Sequence, residues 1–389
     1  MTLRIAVLRQ LQPGERRVAL VPSLMPKLNK LGVELWLETG AGLEADFPDA
    51  AYSGARVESD RAALLAQADI VLCVQPPATE EIASMKPGAV LVGLLYAGRD
   101  AALLQTLCQQ RITALAMENV PRISRAQSMD VLSSQATLAG YLAPLLGALS
   151  LPRILPMMTT AVGSLRAARV LVMGLGVAGL QALATAHRLG AVTEGYDVRP
   201  ETREQAQSVG ARFIDTGVDA RGEGGYAREL TAEEQAHAAA VLTEHIQQAD
   251  MIITTANVPG RAAPKLISSS QIAGMKPGSV IVDLAAESGG NCEGTVCGQN
   301  VRLAGHLGGV TIVAPLNLVS TLAQHASELY GKNLLALLDL IVKDGALALD
   351  ATDEVIAGTL LSHDGQIVNA AANAVLQAHV GSAQHEVAQ

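Results

Sequence analysis

The segment RVLVMGLGVAGLQA, residues 169–182, is the most informative part of this chain for its fold. A short apolar strand leads into Gly174, Gly176 and Gly179, and a helix-forming sequence follows them. In this spacing the first glycine allows a tight turn, the second lets the backbone approach a pyrophosphate, and the third lets helix and strand pack closely. The start of the helix then faces the phosphate charge. The stretch therefore predicts the strand–turn–helix of a dinucleotide-binding α/β domain.

The next predicted strand strengthens this interpretation, because it ends in an acidic residue. Asp197 follows Gly179 by 18 residues, and its carboxylate would accept hydrogen bonds from the adenine ribose and repel a 2′-phosphate. The pattern thus favours NAD(H) over NADP(H), although Arg199 two residues further on could accommodate a phosphate. The predicted cofactor-binding residues here are Gly174, Gly176, Val177, Ala178, Gly179, Asp197, Val198 and Arg199, with Asn257 just past a later strand.

Short aliphatic runs alternate with helix-length segments along the whole chain, which indicates parallel sheets wound on both faces. The 389 residues are 49% hydrophobic but only 2% aromatic, with 36 glycines, so the cores must consist of small aliphatic side chains packed closely. The predicted strands are 3–9, 33–38, 69–75, 89–96, 113–118, 169–174, 192–197, 211–214, 251–256, 279–285 and 309–314.

An internal sequence repeat indicates two such units. IASMKPGAVLV at 82–92 and IAGMKPGSVIV at 272–282 match closely, and each follows an Ala-Asp pair, at 68–69 and at 249–250. Pro-Gly is also common in turns that precede buried strands, but the length of the match favours a duplicated arrangement of strands and helices. We expect two doubly wound, Rossmann-like domains joined by long helices: a discontinuous one, 1–133 plus 320–389, and a second, 134–319.

Charge and cysteine content exclude several classes of protein. Lys and Arg number 28 and Asp and Glu number 37, giving a net charge of −9 without basic clusters, so nucleic acid is a poor partner. The N-terminus has no signal-peptide pattern, and four scattered cysteines suit a reducing cytoplasm. The spacing of Cys292, Cys297 and His306 suits no common zinc site, so no metal is expected. The charge-free run between Asp130 and Arg153 holds too many polar residues for a confident membrane span and favours an interdomain helix.

Two further segments are dense in functional groups. PRISRAQSMDVLSSQ, residues 121–135, collects amide, guanidinium, carboxylate and hydroxyl groups, and by spacing alone it reads as a capped helix start with solvated charges. Residues 215–230 form a glycine-rich loop around Tyr226. A loop of that length is usually functional or disordered, so it could be a lid or a solvated insertion.

Several stretches resemble the NAD(H)-binding α subunit of proton-translocating nicotinamide nucleotide transhydrogenase. They are RISRAQSMDVLSSQATLAGY, RVLVMGLGVAGLQA, GGYAREL, MKPGSVIVDLAAESGGNC and SELYGKNLLALL, and the likeness runs from about residue 4 to 371. The resemblance implies that Arg122, Gln127, Asp130 and Ser133 hold the nicotinamide end of NAD(H) in a cleft between the domains. Asp130 would orient Arg122, Gln127 would position the ring, and Tyr226 would be the tip of a loop that closes on the nucleotide.

The same resemblance implies an activity and partners. Hydride would pass between NAD(H) bound here and NADP(H) on a β subunit, coupled to proton translocation. In the family, the segment matching 153–166 forms an arm that builds a homodimer. Because the sequence ends at Gln389 without a span, we expect separate membrane-spanning subunits that hold this chain on the cytoplasmic face of the membrane.

Alanine dehydrogenase is similar to the same family and is the main alternative. Its chemistry needs a Lys at a V-K-E-P strand end and a His in a Y-L-H stretch, where this chain has Val74-Gln75-Pro76-Pro77 and Leu94-Leu95-Tyr96. Arg17 is retained. Hydride exchange between two nicotinamide rings takes no proton from carbon, so it needs orientation and exclusion of water rather than a general base. A non-catalytic NAD(H)-sensing module is the second alternative.

Overall fold

The chain divides into two compact units. The computed structural model describes residues 2–96, 100–220, 228–257 and 261–387, with side chains up to 379. Unit 1 comprises Met1–Gln135 with Ser320–Gln389, and unit 2 comprises Ala136–Val319.

The helices and strands follow the alternation that the sequence predicts. In chain order the strands are β1 (Arg4–Val7), β2 (Glu34–Glu38), β3 (Arg56–Glu58), β4 (Ile70–Leu72), β5 (Val90–Gly93), β6 (Thr113–Ala116), β7 (Met158–Thr160), β8 (Gly163–Leu165), β9 (Arg169–Met173), β10 (Val192–Tyr196), β11 (Arg212–Phe213), β12 (Met251–Thr254), β13 (Val280–Asp283), β14 (Asn300–Ala304), β15 (Gly309–Val313), β16 (Val342–Lys343), β17 (Ala346–Leu347), β18 (Leu360–His363) and β19 (Gln366–Ile367). The helices are α1 (Met25–Asn29), α2 (Arg61–Gln67), α3 (Thr79–Ala83), α4 (Ala101–Gln109), α5 (Val131–Ser150), α6 (Val177–Arg188), α7 (Thr202–Ser208), α8 (Ala232–Gln248), α9 (Ser269–Ala273), α10 (Ala323–Ile341), α11 (Glu354–Thr359) and α12 (Ala370–Val387).

Unit 1 is built on a sheet in the order β19-β18-β6-β5-β4-β1-β2-β3. Alternate residues of its strands enter two different cores: Ile5 and Val7 pack in one cluster, and Ala6 packs in the other. Both faces are therefore covered, as a doubly wound sheet requires. The six strands from β6 to β3 are parallel, and β18 joins the edge antiparallel to β6.

Unit 2 repeats this layout in the order β11-β10-β9-β12-β13-β15-β14. The first strand of this sheet, β9, lies between β10 and β12, just as β1 lies between β2 and β4. The strand order reverses at this point of the sheet, and ligands of open α/β sheets bind beyond the carboxyl ends of the strands there. The glycine-rich stretch follows β9 and so lies at that position.

Each sheet extends its parallel core with antiparallel strands at one edge. β14 runs antiparallel to β15, and β18 and β19 add antiparallel strands to unit 1. β14 is NVRLA with alternate residues exposed, so it lacks the continuous apolar run that marks a buried parallel strand. The α/β, Rossmann-like class itself is confirmed.

The internal sequence repeat makes the same set of contacts in both units. Asp69 accepts a hydrogen bond from the backbone of Arg4 at 2.9 Å, and Asp250 accepts one from the backbone of Arg169 at 2.8 Å. In each unit the lysine of the repeated MKPG pairs with that aspartate. Each aspartate thus joins the start of the central strand to the turn before the next strand, which supports the duplicated layout.

Two long helices continue the chain near the unit boundaries. α5 carries the chain from unit 1 into unit 2, in agreement with the interdomain helix expected there. The second is α10, and a 3-10 turn, Leu318–Leu322, precedes it. Across the part of the chain that the structure describes, no helix combines the length and apolarity needed to cross a membrane.

Candidate functional site

Two of the three fingerprint glycines are required by close packing. Gly174 has a φ of 94°, and a Cβ there would lie 2.9 Å from the Thr255 hydroxyl oxygen and from the Ala256 backbone nitrogen. A Cβ on Gly179 would lie 1.8 Å from the carbonyl oxygen of Gly174. These two positions therefore set the turn after β9 and the contact between α6 and that turn.

Gly176 has a different environment. Its φ is −76°, which any residue adopts, and a Cβ there would meet nothing within 4 Å. It is the N-cap of α6 and provides no capping side chain, so the first-turn N–H groups, including those of Val177 and Ala178, lack a side-chain acceptor from it. Open space before a helix start without a side-chain cap suits a phosphate group. We call residues 174–179 the glycine turn.

Asp197 follows β10, next to the glycine turn, and is 9% exposed. Its carboxylate accepts from the Leu175 backbone at 2.7 Å, so it also braces the turn. Arg199 donates to the same carboxylate from its backbone and Nε, both at 2.9 Å, and from Nη2 at 2.8 Å. The negative charge that would repel a 2′-phosphate is therefore shared with a guanidinium, a feature that the sequence motif alone does not show. Val198, between them, is half-buried.

The four residues assigned to the nicotinamide end meet in unit 1. A cavity of about 420 Å³ is lined by Pro121, Arg122, Ile123, Ser124, Ala126, Gln127, Asp130 and Ser133. Arg122, Gln127, Asp130 and Ser133 are all members of this set, which we call the polar cavity. A site wall of amide, guanidinium, carboxylate and hydroxyl groups suits a neutral, polar ligand group such as a carboxamide.

The wall of the polar cavity is formed by two consecutive helical segments that meet at Asp130. A 3-10 helix, Ser124–Met129, ends at Asp130, and α5 starts at the next residue. Asp130 accepts hydrogen bonds from the Ser133 backbone at 2.9 Å and from the Ser133 hydroxyl at 2.6 Å, so it caps α5. The capped helix start is confirmed. Arg122 lines the same cavity as Asp130, and its orientation by Asp130 stays a prediction.

Arg125 anchors this segment to the C-terminal part of unit 1. Its guanidinium makes two hydrogen bonds with Asp353, at 2.8 and 2.9 Å, and it is not part of the cavity lining. These hydrogen bonds from Arg125 lower the pKa of Asp353 to about 2. Asp353 also caps α11, so one half-buried carboxylate serves both the cavity segment and a neighbouring helix.

A buried polar network lies in unit 1, and sequence reasoning gave it little weight. Arg17 and Glu15, each 5% exposed, pair through Nε–Oε1 at 2.7 Å and Nη2–Oε2 at 2.6 Å. Arg17 also donates to Gln135 at 2.9 Å, and Gln75 donates to Glu15 at 3.3 Å. Burial acts to raise the pKa of Glu15, but the hydrogen bonds and charge of Arg17 outweigh it and hold that pKa below its usual value.

The remaining predicted residues are placed as follows. Asn257 is exposed and follows β12 by three residues. Tyr226 lies outside the described residues. Among the residues with a described structure, no three His, Cys, Asp or Glu side chains are grouped to hold a metal ion, and Cys292 is buried whereas Cys297 is exposed.

A doubly wound α/β unit with a glycine turn at its switch point and a second α/β unit with a polar cavity define a Rossmann-like nucleotide-binding protein. Comparison with known families makes this specific. The model for the alanine dehydrogenase/PNT N-terminal domain matches residues 6–139, and that for the C-terminal domain matches 143–370. The chain belongs to the alanine dehydrogenase/PNT family.

The individual relatives include both transhydrogenases and alanine dehydrogenases. Over 382 residues the chain is 46% identical to the first part of NAD(P) transhydrogenase subunit alpha of Rhodospirillum rubrum, covering 95% of this chain and 98% of that protein. It is 30% identical over 373 residues to an alanine dehydrogenase of Halomonas elongata, covering 94% of each. Among solved structures, a transhydrogenase from Sinorhizobium meliloti is 42% identical with a TM-score of 0.82, covering 95% of this chain and 99% of that one. An L-alanine dehydrogenase, 24% identical with a TM-score of 0.81 and covering 97% and 99%, shares the fold.

Proposed function

We propose that this chain is the NAD(H)-binding α subunit of a proton-translocating NAD(P) transhydrogenase. In this role hydride passes directly between NAD(H) held here and NADP(H) held on a partner β subunit, coupled to proton translocation. The observation that carries the proposal is the polar cavity, where Arg122, Gln127, Asp130 and Ser133 line one space. The relatives named as transhydrogenase subunits support the same assignment.

The glycine turn would hold the pyrophosphate of NAD(H). Gly176 leaves open space at the start of α6, and the first-turn N–H groups are available to an anion. Asp197, with Val198 and Arg199, would bind the adenine ribose, and Asn257 would approach the nucleotide from the end of β12. We assign Tyr226 to the loop that closes over it.

The polar cavity would hold the nicotinamide end. When bound, the reduced nicotinamide would supply a hydride and the oxidised nicotinamide would accept one, and the residues of this chain would orient the ring. Asp130 and Ser133 fix the start of α5 through their two mutual hydrogen bonds. Gln127 and Arg122 present donors to a carboxamide from the preceding segment. Since no proton leaves carbon, positioning of this kind is what the reaction requires of the protein.

The residues at the equivalent of an amino-acid site argue against the alanine dehydrogenase alternative. Gln75, where a lysine is expected for that chemistry, has an amide that donates to Glu15 and cannot exchange a proton. Tyr96 occupies the place of the expected histidine stretch, with a φ of 43°. Neither the lysine nor the histidine of that proton-transfer machinery is thus present at its expected position.

An exposed hairpin supports the homodimer. β7 and β8 are exposed along their whole length. Met158 and Leu165 are about half exposed, and Val162 at the tip is 99% exposed. Apolar side chains on a projecting hairpin favour burial against another surface. We propose that a second copy of this chain covers it, and that the β subunit and membrane-spanning subunits place the dimer on the cytoplasmic face of the membrane.

A mixing experiment tests the function. The purified chain should not oxidise NADPH by itself, whereas addition of the NADP(H)-binding subunit should give rapid reduction of an NAD⁺ analogue by NADPH. Turnover by the chain alone with an oxo acid and ammonia would favour the alanine dehydrogenase alternative. NADH binding without transfer, in the presence of a partner that is active with a related α subunit, would favour a sensing module.

A further inference from the structure

The segment that lines the polar cavity bends at Asp130, where the 3-10 helix ends and α5 starts. We call these two helices its arms, and a contact that spans both is needed to hold the angle between them. Gln127 lies on the 3-10 helix and Ser133 lies on α5, so their spacing depends on the angle at Asp130. Ala126 and Met129 are buried and anchor the 3-10 helix to the core. These apolar contacts are non-directional, so they fix burial but not the angle between the two arms.

Asn333, a residue of α10, bridges the two arms directly. Its Nδ2 donates to the Ser128 carbonyl at 2.7 Å, and its Oδ1 accepts from the Ser134 hydroxyl at 2.7 Å. Ser128 follows Gln127 on the first arm, and Ser134 follows Ser133 on the second. The Asn333 side chain is thus tied to the residue next to a cavity-lining residue on each arm.

The amide is well suited to this position. One side chain must present a donor to a carbonyl and an acceptor to a hydroxyl, and Asn333 is only 7% exposed, so water cannot readily replace it. Asn333 lies about 200 residues along the chain from both partners, so its hydrogen bonds form only when the two segments of unit 1 are assembled.

We propose that Asn333 is a positioning residue for hydride transfer: it fixes the angle between the 3-10 helix and α5 and so sets the position of Gln127 relative to Asp130 and Ser133. This inference rests on the proposed function. Asn333 does not line the polar cavity and acts through the backbone of Ser128 and the hydroxyl of Ser134. The pyrophosphate cradle lies in unit 2, so its affinity for NADH should not depend on Asn333.

Three variants test this role. Asn333→Asp keeps the size and the acceptor but removes the donor to Ser128, Ser134→Ala removes the other partner, and Asn333→Ala removes both hydrogen bonds. With saturating nucleotides and the partner subunit, a shift of a fraction of an ångström to about 1 Å should slow transfer about tenfold to a hundredfold. NADH affinity should stay within about threefold, because most of the binding contacts are elsewhere. Asn333→Ala and Ser134→Ala should be non-additive, since they remove the same contact.

Lys332→Ala is the matched control. Lys332 precedes Asn333 on α10 but is 50% exposed and pairs with Glu328, so its removal should leave transfer unchanged. Amide hydrogen exchange gives a readout that needs no turnover: exchange in 124–134 should accelerate in Asn333→Asp, whereas exchange in 177–188 should not.

The outcomes separate this inference from the proposed function. Normal transfer at saturation by Asn333→Asp, accompanied by a lower melting temperature, would show that Asn333 is merely structural. Failure of the wild-type chain to transfer hydride would refute the proposed function, and exchange in 124–134 would then decide the positioning role: acceleration supports it and unchanged exchange overturns it.

Discussion

The substitution Gly→Ala should weaken ligand binding at position 176 and destabilise the fold at position 179. The two variants therefore test ligand binding and folding separately. At Gly176 the new methyl group would meet nothing within 4 Å, and the φ of −76° accepts it. Replacing a glycine N-cap by alanine costs roughly 0.5–1 kcal/mol, and the reduced entropy of the unfolded chain returns about 0.4–1 kcal/mol. The free energy of unfolding should therefore change by less than about 1 kcal/mol, or about 2–4 °C in Tm.

The same methyl group would occupy the space where we place the pyrophosphate. Loss of one hydrogen bond to a charged group costs about 1.5–3 kcal/mol, so the Kd for NADH should rise about tenfold to 150-fold. Isothermal titration with NADH and thermal unfolding of the apo chain measure the two effects separately. An unchanged Kd for Gly176→Ala, in a chain that folds normally, would refute the placement of the pyrophosphate at the glycine turn.

Gly179→Ala is the contrasting variant. Its Cβ would lie 1.8 Å from the Gly174 carbonyl oxygen, whereas real Cβ contacts stay beyond 3.0 Å. α6 would have to move away from the turn, and overpacking of this kind costs about 1–3 kcal/mol or more. We therefore expect a lower Tm before any nucleotide is added. A Tm equal to that of the wild-type chain would contradict the close packing of α6 on the turn.

Three further predictions concern single side chains. Gln127→Asn should lower the rate of hydride transfer far more than NADH affinity, because it shifts the nicotinamide end only; equal losses would make Gln127 a binding residue. Asp197→Ala should weaken NADH binding and strengthen NADPH binding, since it frees the guanidinium of Arg199 for a 2′-phosphate; parallel losses for both nucleotides in titrations would contradict this. Glu15→Gln should cost about 3–5 kcal/mol, because it leaves the buried Arg17 without its carboxylate. Because the folded pKa of Glu15 is lowered, its stabilising effect is complete above pH 4.5 and is lost as the pH falls through the folded value. The wild-type Tm should therefore fall with acid more steeply than that of Glu15→Gln.

Most of the parallel strands could be predicted from the sequence because they contain short aliphatic runs, but β3, with the sequence RVE, was not predicted. β1, β9 and β12 all lie within predicted ranges. β14 could not be predicted in the same way, because an edge strand has one exposed face and its sequence resembles a loop. Its pairing depends on which strand the folded chain leaves at the edge.

In the candidate site, too, some features are encoded locally in the sequence and others depend on the folded structure. The glycine turn is local, so its glycine spacing predicts both the turn and the open helix start at Gly176. The motif also predicts an acidic residue at Asp197, but the sharing of that carboxylate with Arg199 depends on side-chain geometry. Spacing likewise places Asp130 three residues before Ser133, and the folded segment uses that spacing to cap α5.

By itself the sequence determined the α/β class, the position of the glycine turn and the segment that supplies Arg122, Gln127, Asp130 and Ser133. These features are encoded by hydrophobic periodicity and by residues close together in the chain. Tertiary structure alone decided that the four side chains line one cavity, that Arg125 anchors to Asp353 and that Asn333 braces both arms of the cavity wall. The last two contacts join residues about 200 positions apart, and a hydrogen bond acts over about 3 Å, so only the packed fold brings its two partners together.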